Sequence, residues 1–441
     1  MNASTPELDA DVAVVGAGPA GIAAAVRAAE SGARVVVVDE SPNIGGQIWR
    51  HRPDARAPAG ARRWLSALAQ SGARVLTSSS VFDVHGDARA GFVLSLERAG
   101  MPIELRAHTI VLATGARERF LPFPGWTLPG VVGVGGAQAL LKAGASVRGK
   151  TIVIAGSGPL LLPVAASLAH AGARLALVAE QASARRVATF AAGLWRRPGA
   201  LLDAARYRAG FLGASYRAGQ WVTEARGASV LTSVVVADGR SSREIACDML
   251  CVGFGLVPNT ELPRHLGCAI ARGVVSVDDR QATSVPGVYC AGEPTGIGGV
   301  DLALVEGEIA GACAVGRDGV TPSLHARRAR LRNLAAEMDH AFALRDELRR
   351  LPTEDTIACR CEDVVYGALR REWSPRQAKL YTRVGMGACQ GRVCGPALDF
   401  LLGWDHDSVV RAPVTPTLLG AMGGREDAIP LAPPRDTARQ R

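Results

Sequence analysis

One glycine-rich turn near the N-terminus restricts the possible folds of this chain more than any other feature. The apolar segment Asp11–Val15 runs directly into a loop with the sequence Gly16-Ala17-Gly18-Pro19-Ala20-Gly21, and a helical pattern follows. The first glycine permits a tight turn, the second lets a pyrophosphate approach the backbone, and the third lets the helix pack closely on the strand. The helix N-terminus then faces the phosphates with its positive dipole end. The pattern predicts a strand–turn–helix unit that binds a dinucleotide.

Acidic residues end the second strand of this unit, where a ribose contact is expected. Asp39 follows the strand directly, and its carboxylate can accept a hydrogen bond from a ribose hydroxyl; Glu40 is the alternative residue for this contact. This stretch alone leaves open whether the nucleotide is FAD or NAD. Gly46 and Gln47 follow in a loop that resembles one found in flavoproteins with two dinucleotide domains, where it passes near the FAD pyrophosphate and the flavin.

Two later segments resemble further FAD-contacting parts of such flavoproteins. An apolar strand breaks at Ala113, Thr114 and Gly115, which resembles the point where the chain leaves the FAD domain. A threonine, an apolar strand and then Gly292 and Glu293 resemble the second FAD fingerprint, whose acidic residue bonds the ribityl chain. The acid is one methylene longer here than the usual aspartate. The resemblance implies an FAD domain that is discontinuous in sequence.

A second copy of the strand–loop–helix–strand pattern lies further along the chain. Its loop reads Gly156-Ser157-Gly158-Pro159-Leu160-Leu161, so that Leu161 replaces the third glycine. Ala179 is expected at the ribose-acid position, with Glu180 one place late and facing the other way. An internal duplication is typical of folds with two Rossmann-like domains. The changes favour a structural relic or an altered nucleotide site over a working NAD(P)H site, whose 2′-phosphate contacts would be Arg185 and Arg186.

Four cysteines near the C-terminus have the spacing of metal ligands. Cys359 and Cys361 form a C-x-C motif, and Cys389 and Cys394 form a C-x4-C motif among several glycines. Four thiolates that converge on one point are the ligand set of an iron–sulfur cluster or of a structural zinc ion. The glycines leave backbone N–H groups free to bond sulfur, and C-x-C is uncommon at zinc sites. The sequence favours a 2Fe–2S cluster, with zinc and unliganded thiols as the alternatives.

Composition and charge narrow the class of protein. The chain has 441 residues, is 48% apolar and carries a net charge of +9. No stripe of base-stacking aromatic residues accompanies this charge, so we predict no nucleic-acid partner. The N-terminus lacks a signal-peptide pattern, and the one long uncharged stretch, 151–173, is split by glycine and proline into a strand and a helix. We expect a cytoplasmic protein, attached at most peripherally to the inner face of the cell membrane.

The patterns together predict an α/β protein with two Rossmann-like dinucleotide-binding domains, of the FAD/NAD(P)-disulfide-reductase type, and a small C-terminal 2Fe–2S domain with four cysteine ligands. The FAD domain takes residues 1–118 and 276–320, and the degenerate second nucleotide-binding-like domain takes 119–275. Residues 321–352 are expected to form a helical connector whose many arginines lie on a solvated face. Residues 353–441 contain the 2Fe–2S domain and the C-terminal tail.

Across nearly the whole chain, these motifs resemble the larger electron-transfer subunit (α or A) of bacterial multi-subunit amine dehydrogenases. That family includes the A subunits of octopine and nopaline oxidases, the B subunit of hydrogen cyanide synthase, and the α subunit of D-hydroxyproline or dye-linked proline dehydrogenase. The segments CRCEDV (359–364) and GMGACQGRVCG (385–395) also resemble the bacterioferritin-associated-ferredoxin type of 2Fe–2S domain. The resemblance implies FAD and a 2Fe–2S cluster as cofactors, and an additional FMN at a subunit interface in relatives.

The resemblance also implies partners and a role. A glycine-oxidase-like β subunit with its own FAD would oxidise a secondary amine, an opine or a (hydroxy)proline-type amino acid. This chain would take the electrons through flavin and cluster to a quinone or another acceptor, and a small 2Fe–2S protein is a candidate third component. We find no acid–base or nucleophile set and therefore assign no catalytic residue to this chain.

Two other functions remain open at this point. The first is a stand-alone NAD(P)H:acceptor oxidoreductase that uses the same FAD and cluster, and the second is a non-enzymatic redox or metal sensor. No C-x-x-C or C-x4-C dithiol precedes residue 350, which argues against the chemistry of thioredoxin or glutathione reductase.

Overall fold

The N-terminal part of the chain is built on one mixed sheet. The structure, a computed structural model, describes residues 7–51, 57–316, 322–404 and 410–422. The first strands are β1 (Glu7–Val15), β2 (Val35–Val38), β3 (Arg74–Leu76), β4 (Ser80–Asp87), β5 (Gly91–Arg98) and β6 (Met101–Leu112). Helix α1 (Pro19–Ala29) follows β1, and α2 (Ala59–Gln70) precedes β3. We call this part, with the strand and helix that return to it below, the flavin unit.

The strand order of this sheet is β3-β2-β1-β6-β5-β4, with parallel pairing from β3 to β6 and antiparallel pairing from β6 to β4. Val15 lies opposite both Val38 and Leu112, so the ends of three parallel strands meet at one edge. Every residue of β2 is buried, as expected for a strand that is covered on both faces. The sheet therefore presents the loop after β1 at its carboxyl edge, where ligands bind in folds of this kind.

A second sheet follows, and we call its part of the chain the second unit. Its elements are β7 (Ala116–Glu118), β8 (Val131–Gly133), α3 (Val134–Lys142), β9 (Thr151–Gly156), α4 (Leu161–His170), β10 (Arg174–Glu180), α5 (Ala184–Gly193), α6 (Pro198–Ala209), β11 (Tyr216–Ala218), β12 (Trp221–Arg226), β13 (Ser233–Ala237), β14 (Ser242–Ala246), β15 (Met249–Gly253), β16 (Leu256–Pro258) and α7 (Glu261–His265). The parallel order is β11-β10-β9-β15-β8. The predicted split of 151–173 into a strand and a helix is confirmed.

The chain then returns to the flavin unit. After β17 (Ile270–Ala271) and β18 (Val274–Val275), strand β19 (Val288–Cys290) pairs in parallel with the end of β6. Helix α8 (Gly299–Ala314) packs against α1 at very short range, because Gly307 and Gly311 carry no side chain at the contact. A methyl group on either glycine would lie 2.2 Å from a carbonyl oxygen of α1. This contact brings the two flavin-unit segments with FAD-like motifs together.

The last described elements are α9 (Pro322–Ala341), β20 (Ile357–Cys359), β21 (Val364–Val365), α10 (Pro375–Thr382), α11 (Cys394–Leu402) and α12 (Leu419–Met422). Residues 356–404 enclose a small core of their own, which we call the cysteine domain. Trp126 of the second unit donates to the carbonyl of Ile357 in this domain at 2.7 Å, and Val414, in the segment that follows the domain, donates to the carbonyl of Phe82 in the flavin unit at 2.8 Å. None of the helices within the described ranges is long and apolar enough to cross a membrane.

The expected solvated arginine face of the connector is wrong for two residues of α9. Arg328 is only 5% exposed and binds Asp279 at 2.5 Å and Gln281 at 2.9 Å. Arg332 pairs with the buried carboxylate of Glu306 at 2.8 Å. The sequence shows the positive charges but not the buried carboxylate that receives one of them. Helix α9 is thus fixed to the flavin unit by ion pairs rather than tethered to it loosely.

Candidate cofactor and cysteine sites

The first glycine loop forms a tight cradle at the carboxyl end of β1. Gly16 has φ +106, and a methyl group there would lie 2.2 Å from the carbonyl oxygen of Ala113. A methyl group on Gly21 would lie 1.8 Å from the carbonyl oxygen of Gly16, so the helix meets the turn only because both residues lack side chains. Helix α1 begins at Pro19 after Gly18 and has no side-chain cap. Its first N–H groups are free to bind an anion.

Asp39, which follows the neighbouring strand β2, binds the backbone of the first glycine loop. One carboxylate oxygen accepts from the N–H of Ala17 at 2.6 Å, and the other accepts from the N–H of Ser41 at 2.7 Å. Glu40, the alternative, is exposed and is not brought to the loop by any hydrogen bond among the described residues. The structure therefore favours Asp39 as the acid beside the cradle.

The second loop of the flavin unit closes over the first. Gly45 donates to the carbonyl of Ala17 at 2.8 Å. A methyl group on Gly46 would lie 2.9 Å from the Cα of Gly18, so the two backbones are in direct contact. Gln47 is exposed, and its carbonyl accepts from Lys142 of α3 at 3.3 Å. The Gly-Gly loop thus borders the cradle, whereas the Gln47 side chain stays outside it.

Glu293 enters the same region from the other FAD-like segment. Gly292 has φ +80 and lies against Ala20, where an added methyl group would be 2.8 Å from its Cβ. One carboxylate oxygen of Glu293 accepts from Gly299 at the start of α8 at 3.1 Å, while the other is buried without a partner. Burial raises the pKa of Glu293 to about 7. A buried oxygen without a partner is costly unless a ligand group meets it, which fits a hydroxyl donor from a bound cofactor.

The residues predicted to contact FAD therefore converge, apart from the exposed side chains of Glu40 and Gln47. An uncapped helix N-terminus, a backbone cradle that excludes side chains, and an unpartnered buried carboxylate oxygen together fit a dinucleotide with a polyhydroxyl chain. FAD is such a group. Ala113, Thr114 and Gly115 lie at the edge of the cradle, and Thr114 exchanges two hydrogen bonds with Asn259 at 2.7 and 2.8 Å.

Glu180, not Ala179, occupies the acid position of the second loop, which corrects the sequence interpretation. Strand β10 contains a register shift between Leu175 and Leu177, and the extra residue advances every later residue by one place. Glu180 consequently lies opposite Gly156, at the end of the strand. Its two oxygens accept from the N–H groups of Gly158 and Ala182, each at 2.8 Å. Burial raises the pKa of Glu180 to about 7.

The connector packs against the second loop. Ser157 donates to the carbonyl of Phe342 at 2.7 Å, and the buried amide of Gln181 donates to Ser157 and to the carbonyl of Ala343. The corresponding residues of the first loop, Ala17 and Glu40, make no such side-chain contacts among the described residues. The second loop is therefore bound to this chain's own backbone at positions where the first loop is open.

The four cysteines lie in two pairs. Cys359 and Cys394 share a hydrogen bond, as do Cys361 and Cys389. The bond from Cys394 lowers the pKa of Cys359 to about 5, although burial opposes this, and raises the pKa of Cys394. The same kind of bond raises the pKa of Cys361. In the described ranges no three Cys, His, Asp or Glu side chains are grouped closely enough to hold one metal ion.

Glycine backbones surround the cysteine pairs. The N–H of Gly385 donates to the sulfur of Cys359 at 3.5 Å. A methyl group on Gly387 would lie 2.3 Å from the Cβ of Cys361, so only glycine fits there. A donor set of two thiol pairs, with a backbone N–H aimed at sulfur, fits a two-iron cluster, in which each iron takes two thiolates.

Sequence reasoning missed three side chains at these sites. Glu306 accepts from the N–H of Gly292 at 3.0 Å and from Thr295 at 2.8 Å, and so braces the segment that carries Glu293. Glu118, after the first FAD-like strand, accepts from Gly135 and Gly136 at the start of α3. Arg117 binds Asn259, Glu261 and the carbonyl of Arg392. Of the three, only Glu306 gave a signal in the sequence, as one of three acidic residues in the largely apolar helix α8.

Comparison with known proteins identifies the family. Residues 10–307 match the family described as pyridine nucleotide-disulphide oxidoreductase. The A subunit of opine oxidase from Rhizobium meliloti (strain 1021) is 35% identical to this chain, over 93% of this chain and 97% of its own length. Hydrogen cyanide synthase subunit HcnB of Pseudomonas protegens is 32% identical, over 86% of this chain and 89% of its own.

Solved structures show the same fold. L-proline dehydrogenase from P. horikoshii superposes with a TM-score of 0.68 at 20% identity, over 95% of this chain and 80% of that one. Thioredoxin reductase from T. acidophilum superposes with a TM-score of 0.55 at 22% identity, over 71% and 99%. The second match accounts for the two nucleotide-type units.

The two units and the cradle define the class of this protein: it is an FAD-dependent oxidoreductase. The chain belongs to the pyridine nucleotide-disulphide oxidoreductase family and, within it, to the group that contains the opine oxidase A subunits and hydrogen cyanide synthase subunit HcnB.

Proposed function

We propose that this chain is the electron-transfer subunit of a heteromeric dehydrogenase or oxidase, with FAD in the flavin unit and a 2Fe–2S cluster on the four cysteines. A partner chain would oxidise a secondary amine, an opine or a (hydroxy)proline-type amino acid, and a quinone or another acceptor would receive the electrons. The observation that carries the proposal is the pairing of four cysteines in a domain that is bonded to the second unit and followed by a segment bonded to the flavin unit. The names of the relatives, which include the alpha subunit of sarcosine oxidase, support the substrate class.

Each part of the cradle receives a role in this proposal. The N–H groups of Ala20 and Gly21 at the start of α1 and the backbone of Gly46 would bind the pyrophosphate. Asp39 would bind the ribose, Glu293 would accept from the ribityl chain, and Ala113–Gly115 would border the flavin. Bound FAD supplies two-electron redox chemistry, while the residues of this chain bind and orient it.

The paired cysteines support a cluster over zinc. A structural zinc ion needs four ligands around one centre, whereas two thiol pairs suit two irons. Metal analysis distinguishes a 2Fe–2S cluster from a zinc site. The proposal expects about two irons and two sulfides per chain and little zinc.

The alternative of a stand-alone NAD(P)H:acceptor oxidoreductase is supported by Glu180, which takes the ribose-acid position. Its carboxylate is fully buried and already binds two N–H groups of the loop region, and the connector bonds to Ser157. These contacts, with Leu161 at the third glycine position, favour a structural role for the second loop. Anaerobic mixing with NADH or NADPH decides the matter, since rapid bleaching of the flavin would establish the alternative.

Two helices of the second unit support a partner subunit. Neither α5 nor α6 buries a single residue in this chain, and Trp195, Leu202 and Leu212 are 68%, 68% and 70% exposed. Helices gain most of their stability from packing an apolar face, so this arm (residues 184–212) fits a surface that another chain covers. It carries six arginines against one aspartate, which favours an acidic partner over a second copy of this chain.

The partner in this proposal is a glycine-oxidase-like β subunit with its own FAD. A small 2Fe–2S protein would be the third component, and FMN would lie at a subunit interface. The test is co-expression with a candidate β subunit, followed by purification of the complex and assays with each substrate class. Full substrate-to-dye activity from this chain alone would contradict the electron-transfer role.

A further inference from the structure

Arg117 lies where the flavin unit, the second unit and the cysteine domain meet. It belongs to β7, two residues beyond Gly115, and its three donor nitrogens reach two other segments of the chain, 259–261 and the loop around Arg392. Nη1 donates to the side-chain oxygen of Asn259 at 2.7 Å, Nη2 binds Glu261 at 2.8 Å, and Nε donates to the carbonyl of Arg392 at 3.1 Å. A planar guanidinium holds such partners in a fixed geometry that lysine cannot reproduce.

The first contact leads to the flavin unit. Asn259 donates to the carbonyl of Thr114 at 2.8 Å and accepts at its own carbonyl from the Thr114 hydroxyl at 2.7 Å. Its N–H donates to the carbonyl of Gly115 at 3.0 Å. Arg117 therefore binds a residue that is itself fixed to the edge of the FAD cradle.

The other two contacts lead to the second cysteine motif. Arg392 lies inside the loop Cys389–Cys394, and its N–H donates to the carbonyl of Cys389 at 3.0 Å. Its own guanidinium is 3.8 Å from the same oxygen of Glu261 that Arg117 binds. Glu261 thus offsets the charge of two arginines, and the loop is held both by its backbone and by a side chain.

We propose that Arg117 is a positioning residue that fixes the cysteine loop 389–394 at the edge of the FAD cradle, with Glu261 as the shared counter-ion. The inference rests on the proposed function, because it assigns the contact to electron transfer between flavin and cluster. Steps of this kind depend strongly on geometry, and small displacements of the reacting groups cost large factors in rate. Without the Arg117 guanidinium, the loop 389–394 keeps its cysteines but loses its hydrogen-bonded connection to Asn259 and Thr114.

The test compares Arg117→Gln with Arg117→Lys and with a control, Arg226→Gln. Arg226 is an arginine of the antiparallel sheet that binds Glu224 and Glu244 at 2.8 and 2.6 Å, away from both sites. Hydrogen exchange of residues 389–395 in the purified holoprotein reports the anchoring. Photoreduction of the flavin with EDTA as electron donor, followed at the cluster's visible absorbance, reports the transfer rate.

In Arg117→Gln we expect exchange of 389–395 to rise about tenfold or more, and transfer to the cluster to slow about tenfold or more, with flavin content and flavin photoreduction unchanged. Arg117→Lys should give exchange and transfer rates between those of Arg117→Gln and the unaltered protein, and Arg226→Gln should match the unaltered protein in both. Unchanged exchange in Arg117→Gln, or an increase spread evenly over the chain, would overturn the proposal. A protein without any cluster would refute the proposed function instead, and exchange alone would then decide whether Arg117 anchors the loop.

Discussion

Three carboxylates with buried oxygen atoms perform different tasks in this chain, and their surroundings separate them. Glu180 binds two backbone N–H groups, Glu306 is paired with Arg332, and Glu293 keeps one buried oxygen without a protein partner. Only the last arrangement leaves hydrogen-bonding capacity for a ligand. This difference supports the proposed cofactor contact of Glu293, whereas the other two carboxylates hold backbone segments in place.

The raised pKa of Glu180 predicts a pH-dependent stability. Its ordinary value is 4.5 and its value in the folded chain is about 7, so the folded state binds more protons between these limits. Stability should therefore fall as pH rises from about 4.5 to about 7, by roughly 3 kcal/mol from this one group. Denaturant unfolding of Glu180→Gln at several pH values should show a shallower decline. An identical decline in both proteins would show that Glu180 is not responsible.

For individual residues, the sequence predicts where some of the site side chains lie and misses others, and the reasons are physical. The convergence of Gly16, Gly21 and Asp39 follows from spacing, because a regular strand and turn allow one arrangement. The Glu180 position does not follow, since a bulge in β10 shifts the register without a clear mark in the sequence. The partners of Arg117 come from two distant segments, 259–261 and the loop around Arg392, which spacing along the chain cannot reveal.

Among the secondary-structure elements, the contact between α1 and α8 positions the FAD cradle. It joins the helix after the first glycine loop to the helix that Glu293 caps, and it depends on Gly307 and Gly311. The sequence predicts the first of these helices from the pattern that follows the glycine loop. It does not predict their close approach, which depends on glycines spaced four residues apart that meet the backbone of α1 only in three dimensions.

Gly307→Ala should therefore damage the FAD site. The added methyl group would lie 2.2 Å from the carbonyl oxygen of Ala20, and the forced separation of the helices should cost about 1–3 kcal/mol. We expect lower thermal stability and reduced FAD content after purification, measured by flavin absorbance. Gly60→Ala in α2 is the matched control, because nothing lies within 4 Å of the added group. Equal FAD content in the two variants would contradict this role of the α1–α8 contact.

In the whole molecule, the proposed function requires the cysteine domain and the arm at residues 184–212 to connect the cradle to other redox groups and chains. The cysteine domain is bonded to the second unit through Trp126 and Arg117, whereas the arm projects apolar and basic side chains outward. This arrangement suits a chain that takes electrons from one partner and passes them on. Six of the arginines that contribute to the net charge of +9 lie in this arm.

Replacing Trp195 and Leu202 together with serine should weaken assembly with the β subunit. Both side chains are 68% exposed, so the change should leave the fold and flavin content intact while removing apolar contact area. Assembly is measured by analytical ultracentrifugation of this chain mixed with the purified candidate partner. Met101→Ser serves as control, since Met101 is similarly exposed, at 58%, on β6. Undiminished binding by the double variant would exclude the arm as the interface.

The central claim is that the four cysteines hold a 2Fe–2S cluster beside a bound flavin. The most direct measurement is electron paramagnetic resonance of the anaerobically purified holoprotein after dithionite reduction, with iron, sulfide, zinc and flavin assayed on the same sample. We predict one reduced-cluster signal per chain with about two irons and one FAD, and loss of that signal in Cys394→Ser with the flavin retained. One zinc per chain with no such signal would contradict the account.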